Sequence, residues 1–144
     1  MKVSEILFVK GSSVHTVSPG ASLRSAVERM ATVGVGSLVV VDADGAIAGM
    51  VSERDVIRAL AGSGDAVLAR AVADVMTHDV ITCSNADRLG DLMHIMTKHR
   101  VRHLPVVERD RLVGLVSIGD LVKARLEELE VESHVMRDAY LRVR

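Results

Sequence analysis

The sequence predicts an α/β (α+β) fold of two pseudo-symmetric repeats, each a small three-stranded sheet with flanking helices, packed face to face. Three observations carry this reading: the chain repeats itself, each copy alternates helical spacing with short Val-rich runs, and 144 residues suit two small units sharing one core. Val14-His15-Thr16-Val17-Ser18 aligns with Val80-Ile81-Thr82-Cys83-Ser84, Leu23 with Leu89, Met30 with Met96, Val35 with Val101 and Leu38 with Leu104. Past an unmatched Gly45, Gly49-Met50-Val51-Ser52-Glu53-Arg54-Asp55 falls on Gly114-Leu115-Val116-Ser117-Ile118-Gly119-Asp120. Upstream, Val3-Ser4-Glu5-Ile6-Leu7 resembles Val72-Ala73-Asp74-Val75-Met76, and a longer loop follows it in the first copy. Scattered Val and Leu matches arise by chance in a chain that is 49% hydrophobic. Gly, Ser and Asp recurring in one order do not. The chain is an internal duplication, with repeats over residues 1–62 and 72–126, a linker over 63–71 and a helical tail over 127–144.

Each element follows from local pattern. Leu23, Ala26, Val27, Met30 and Val33 have helical spacing behind Ser22, a natural N-cap; Leu89, Leu92, Met93, Met96 and His99 repeat it behind Asp87. Residues 37–41 and 103–107 are Val-rich and too short for helices, so they read as buried strands. Asp42-Ala43-Asp44-Gly45 and Glu108-Arg109-Asp110 are turn signals, and residues 47–51 and 112–116 complete two hairpins. Helices then start at Ser52 and Ser117, each with Asp three positions on, a capping box with Asp in place of Glu. Gly62-Ser63-Gly64 marks the linker, and Leu121 to Tyr140 can hold one or two amphipathic helices with their glutamates solvated.

Composition excludes several functions. Eighteen Lys+Arg against 19 Asp+Glu give a net charge of −1, without the basic excess of a nucleic-acid binder. Aromatics are 1% of the chain, so almost no rings exist on which bases stack. One cysteine, Cys83, permits no internal disulfide and reads as a buried apolar substitute for Val17. The six histidines lack metal-ligand spacing, so no metal site is expected. No apolar run is long enough to span a bilayer, and the first residues lack a signal peptide's apolar stretch. A cytoplasmic protein with an aliphatic core is the expectation.

The chemistry lies in the repeated Gly-φ-φ-Ser-x-x-Asp motif, with φ apolar. Ser and the exposed N–H groups of a first helical turn suit a phosphate, and Asp accepts hydrogen bonds from a vicinal diol such as ribose. Gly49 and Gly114 allow close backbone approach or an unusual φ. The same residues serve equally as helix caps and first-turn carboxylates, and duplication does not separate the two readings.

These residues resemble a tandem pair of CBS (cystathionine-β-synthase) domains, often called a Bateman module. The resemblance rests on Asp74-Val75-Met76-Thr77, Val80-Ile81-Thr82, Val101-Arg102-His103-Leu104-Pro105-Val106-Val107 and Gly114 to Leu121. The first copy adds Val35-Gly36-Ser37-Leu38-Val39-Val40-Val41 and Gly49 to Asp55, so the likeness runs from Val3 to about Leu126. It implies a non-enzymatic module that binds adenosine derivatives: AMP, ADP, ATP, NAD(H) or S-adenosylmethionine. It implies ribose and phosphate contacts at Ser52, Arg54, Asp55, Ser117 and Asp120, with Arg102 and His103 where relatives place phosphate-binding residues. Strand alternation would bring only one of that last pair to a cleft. Lys98 and Arg100 read instead as a solvated helix end. The implied adenine pocket comprises Val14, His15, Thr16, Val35, Ser37 and Met50, with Val80, Ile81, Thr82, Val101 and Leu115. Base contacts and the ribose Asp would come from opposite halves. No catalytic cofactor is implied. Leu126, Leu129, Val135 and Met136 would face a second copy in a homodimer, and a regulated enzyme or transporter is the implied output. The competing reading is a structural subunit that docks without nucleotide.

Overall fold

The computed structural model describes residues 1–143. In chain order it contains α1 (Val3–Lys10), β1 (Thr16–Val17), α2 (Leu23–Val33), β2 (Ser37–Val41), β3 (Ile47–Ser52) and α3 (Glu53–Ser63). The second half supplies α4 (Leu89–His99), β4 (His103–Glu108), β5 (Arg111–Ser117) and α5 (Ile118–Arg142). Two short 3₁₀ helices, Gly64–Ala69 and Val72–Asp74, join the halves. The mixed α/β architecture of two repeats is the one the sequence predicts. Among the described residues no helix is long and apolar enough to cross a membrane.

The two sheets are not identical. In the first, β1 runs parallel to β2 and β2 pairs antiparallel with β3, Leu38 opposite Val51. In the second, β4 and β5 form the matching hairpin, Leu104 opposite Val116, but the third strand shrinks to a single parallel bridge between Cys83 and Val106. Pro105 explains the loss. In the first sheet the Val39 N–H donates to His15 O at 3.3 Å. The corresponding residue in the second is Pro105, which has no N–H to give.

Helix ends follow the side chains available. Ser22 caps α2, its hydroxyl accepting from Ser25 N at 3.1 Å. Asp87 does not cap α4 as the alignment suggests: Arg88 is the N-cap residue, and the Asp87 carboxylate accepts from Ser84 N at 2.8 Å, closing the preceding turn. Helix α3 continues through Gly62 to Ser63, stopping at Gly64 with φ 68°. Val67 in the following 3₁₀ helix is buried in the first repeat's core. The C-terminal segment is one 25-residue helix, not two.

The core divides in two, and each part borrows from the other end of the chain. Val3, Ile6 and Leu7 of α1 pack with Leu89, Leu92, Met96, Leu104, Val106, Val116 and Leu121 of the second repeat. Val72 and Met76 pack with Leu23, Met30, Leu38, Val40 and Val51 of the first. Backbone bonds repeat the exchange: Leu89 N donates to Met1 O and Val3 N to Asp87 O, while Leu23 N donates to Arg70 O and Val72 N to Ala21 O, all at 2.8–3.0 Å. At about 1.5–3 kcal/mol per buried aliphatic side chain, the crossing segments hold the repeats together with several kcal/mol.

The crossing also explains the motif glycines. Neither has a positive φ. A Cβ on Gly49 would lie 2.6 Å from Thr77 O and 2.7 Å from the Met76 sulfur, and one on Gly114 would lie 2.6 Å from Leu7 Cδ1. Close approach, not unusual conformation, is why glycine stands there. Gly49→Ala is therefore expected to cost about 1–3 kcal/mol, because a backbone carbonyl must move. Gly114→Ala should cost less, since the Leu7 side chain can turn aside. Urea unfolding of the two variants checks this, and a larger loss for Gly114→Ala contradicts it.

Candidate functional site

Strand β3 ends at Ser52 and α3 begins immediately after it, so the first motif sits at a strand-to-helix junction. Ser52 N and Ser52 Oγ donate to Asp55 Oδ2 at 2.9 and 3.0 Å, and Asp55 N donates back to Ser52 Oγ at 3.3 Å. The capping box is thus formed, yet it occupies only one carboxylate oxygen. Asp55 Oδ1 meets Thr77 Oγ1 at 3.4 Å, the long limit of a hydrogen bond, and so keeps acceptor capacity for a diol.

Asp55 borders a cleft of about 1020 Å³ between the repeats. From the first repeat it draws Ser37, Met50, Ser52, Arg54 and Asp55; from the second it draws Val80, Ile81, Val101, Arg102 and His103. Apolar walls from one half therefore face the diol acceptor of the other. Thr82 does not line this cleft, and neither do Val14, His15, Thr16, Val35, Leu115, Ser117 and Asp120, which belong to the other copy's motif and its surroundings.

The cleft is rich in guanidinium groups. Arg54, Arg58, Arg100 and Arg102 line it together with three carboxylates, Glu53, Asp55 and Asp79. Arg100 was expected at a solvated helix end; it is the C-cap of α4, and it also lines the cleft. Its backbone is left-handed, φ 55°, where the first repeat has Gly34 at φ 72°. An L-residue there carries strain of about 1 kcal/mol that glycine avoids. Both Arg102 and His103 reach the cleft, contrary to the alternation argument. Arg102 precedes β4, so the strand's two-sided pleat does not govern it. Burial lowers the His103 pKa, the Lys10 charge adds to this, and Asp120 opposes it. The His103 imidazole therefore gives up its proton more readily than a free one.

Sequence reasoning missed Arg58, Thr77 and Asp79. Arg58 was legible, because it stands one helical turn after Arg54 on the same face. Thr77 and Asp79 were not, since only the crossing of the leading segments brings them to β3: Thr77 N donates to Met50 O at 2.8 Å and Met50 N to Thr77 O at 3.0 Å.

The second motif is built alike but finished differently. Ser117 N donates to Asp120 Oδ2 at 2.8 Å and Asp120 N to Ser117 Oγ at 3.2 Å. Here Lys10 Nζ also donates to Asp120 Oδ2 at 2.5 Å and to Leu115 O at 2.7 Å. Burial pushes the Asp120 pKa up, but the Lys10 and Ser117 hydrogen bonds and the Lys10 charge outweigh it and leave it lowered. Cys83 is no nucleophile: burial, then the Asp87 charge, push its thiol up to about 12.

Comparison with known proteins fits this geometry. The CBS domain family matches the chain twice, over residues 3–62 and 72–127. The mitochondrial CBS domain-containing protein CBSX3 of Arabidopsis thaliana is 33% identical over 134 residues, covering 88% of this chain and 65% of that protein. The chain thus spans just under two thirds of that relative. The crystal structure of the CBS-domain containing protein ATU1752 from Agrobacterium tumefaciens superposes with a TM-score of 0.82 at 44% identity, covering 86% of this chain and 92% of the other. The crystal structure of CBSX2 in complex with AMP gives 0.75 at 25% identity, covering 88% and 96%.

Two measurements follow from the site's local physics. Arg100→Gly should be more stable than Arg100→Ala by about 1 kcal/mol in thermal unfolding, because only glycine relieves the left-handed backbone; equal stability contradicts the strain. Asp120, with a folded pKa below its unfolded one, stabilises the fold above about pH 4, and this is lost as pH falls through the lowered value. Asp120→Asn should flatten that part of the stability–pH curve, and an unchanged curve contradicts the assignment.

Proposed function

The chain belongs to the CBS domain family, and from that premise we propose that it is a non-enzymatic regulatory module holding an adenosine nucleotide in the cleft at Asp55. The observation that carries this is the convergence of Asp55 Oδ1, the Val80, Ile81 and Val101 side chains and four arginines on one cleft from both repeats. Ribose hydroxyls donate to Asp55, the aliphatic side chains cover the adenine, and Arg54, Arg58, Arg100 and Arg102 take the phosphates. AMP in CBSX2, to which this chain is similar, supports an adenine ligand. The arginines favour the phosphate-bearing candidates, AMP, ATP and NAD(H), over the cationic S-adenosylmethionine.

The ligand acts as a brace. It touches β3 and α3 on one side and residues 79–81 and 100–103 on the other, so it favours the arrangement in which these approach. The size of that shift equals its differential affinity for the two arrangements. Exposed apolar side chains, Ile57 on α3 and Ile118, Val122 and Leu126 on α5, provide surface on which a second copy or a regulated partner reads the change. The same exposed side chains favour a second reading, a docking subunit that works without nucleotide.

Calorimetric titration separates the two. AMP and ATP should bind the wild-type chain, Asp55→Asn should weaken binding at least tenfold, and Arg102→Ala should weaken ATP more than adenosine. Binding that ignores Asp55, or no binding to a folded chain, overturns the nucleotide reading and leaves the docking one.

A further inference from the structure

The two motifs are copies, yet their surroundings diverge in one direction. Arg54, Arg100 and Arg102 of the Asp55 cleft correspond to Gly119, Gly34 and Gly36 around the second motif. The fourth, Arg58, corresponds to Lys123, so the second motif lacks all four guanidinium groups and keeps one ammonium in their place. The leading segments diverge as well. After Met76 the chain makes one backbone bridge, Thr77 to Met50, and then turns outward to form the cleft wall at Asp79, Val80 and Ile81. After Leu7, the counterpart of Met76, the first copy has a longer loop and stays helical to Lys10. No such backbone bridge forms there. Instead one ammonium takes both acceptors: Leu115 O, the counterpart of Met50 O, and the motif carboxylate of Asp120.

We propose that Lys10 is an internal counter-ion that closes the Asp120 site to a nucleotide, so that the chain binds one nucleotide and not two. A ribose diol donates to a carboxylate, and a charged acceptor makes the stronger bond. Lys10 already gives the Asp120 carboxylate, through its capping oxygen Oδ2, a full compensating charge, which weakens the carboxylate as an acceptor for a diol. The same ammonium is anchored to the strand, because Lys10 Nζ donates to Leu115 O while Leu7 packs on the neighbouring Gly114. At the Asp55 site the neighbour is a neutral Thr77 hydroxyl, 3.4 Å from Oδ1 and not from the capping oxygen; it brings no compensating charge and yields readily. The lysine side chain is 34% exposed and Asp120 22%, so the pair is partly desolvated and the ammonium is held by two acceptors at once.

This rests on the nucleotide reading above, and native mass spectrometry with AMP tests the two apart by counting ligands per chain. Wild type should hold one AMP, lost in Asp55→Asn. Lys10→Gln and Lys10→Met should hold two, and adding Asp120→Asn to either should return the count to one. Two Lys10 variants guard against one misfolding, and circular dichroism melts identify which is folded. Two AMP in the wild type, or one in both folded Lys10 variants, overturns the inference and leaves the Asp55 site standing. No AMP in the wild type but one in Lys10→Gln, lost with Asp120→Asn, supports Lys10 as the closing group and overturns the Asp55 reading. No AMP in any variant overturns both.

Discussion

The crossing of the two leading segments is the constraint on which the rest depends. Val3, Ile6 and Leu7 complete the core of the second repeat, and Val72 and Met76 complete that of the first. Neither repeat therefore has a full core from contiguous residues, and a unit of about sixty residues has little to spare. The segments cross closely over glycine: Leu7 lies on Gly114 and Met76 with the Thr77 carbonyl on Gly49, where a Cβ would force its neighbours to move. Those same glycines open the Gly-φ-φ-Ser-x-x-Asp motif. The packing requirement and the chemical motif are parts of one stretch of chain, which is why they recur together.

The crossing also makes the site composite. Residues just after Met76 arrive at β3 of the other repeat, so Thr77, Asp79, Val80 and Ile81 meet Ser52 and Asp55. The capping box uses one oxygen of Asp55, and the other is left to the cleft. Structural and ligand-binding readings of the motif are thus compatible, each with its own atom. Duplicated parts then yield unequal sites through a few local changes. Glycines at 34, 36 and 119 stand where arginines 100, 102 and 54 stand, and α1, helical to Lys10, brings an ammonium to the Asp120 carboxylate.

Much of this was legible in the sequence because it depends on period and order. The repeat, the hairpins and the Ser-x-x-Asp helix starts needed only spacing of apolar and turn residues. What was not legible depends on contacts between distant segments or on single backbone atoms. Pro105 removes one N–H and reduces a strand to a bridge. Asp87 bonds back to Ser84 in place of capping α4. Arg100 reads as an ordinary cation at a helix end until its left-handed backbone places it at the cleft. Lys10 lies in no motif and Thr77 only ends the Asp74-Val75-Met76-Thr77 run; the crossing alone shows what each touches.

The most direct test of the account is a crystal structure of the chain grown with AMP. The account predicts density in the cleft at Asp55, with ribose hydroxyls on Asp55 Oδ1, adenine between Val80, Ile81 and Val101, and the phosphate beside Arg102. AMP seated at Asp120, or in the Asp55 cleft with its ribose away from that carboxylate, would contradict it.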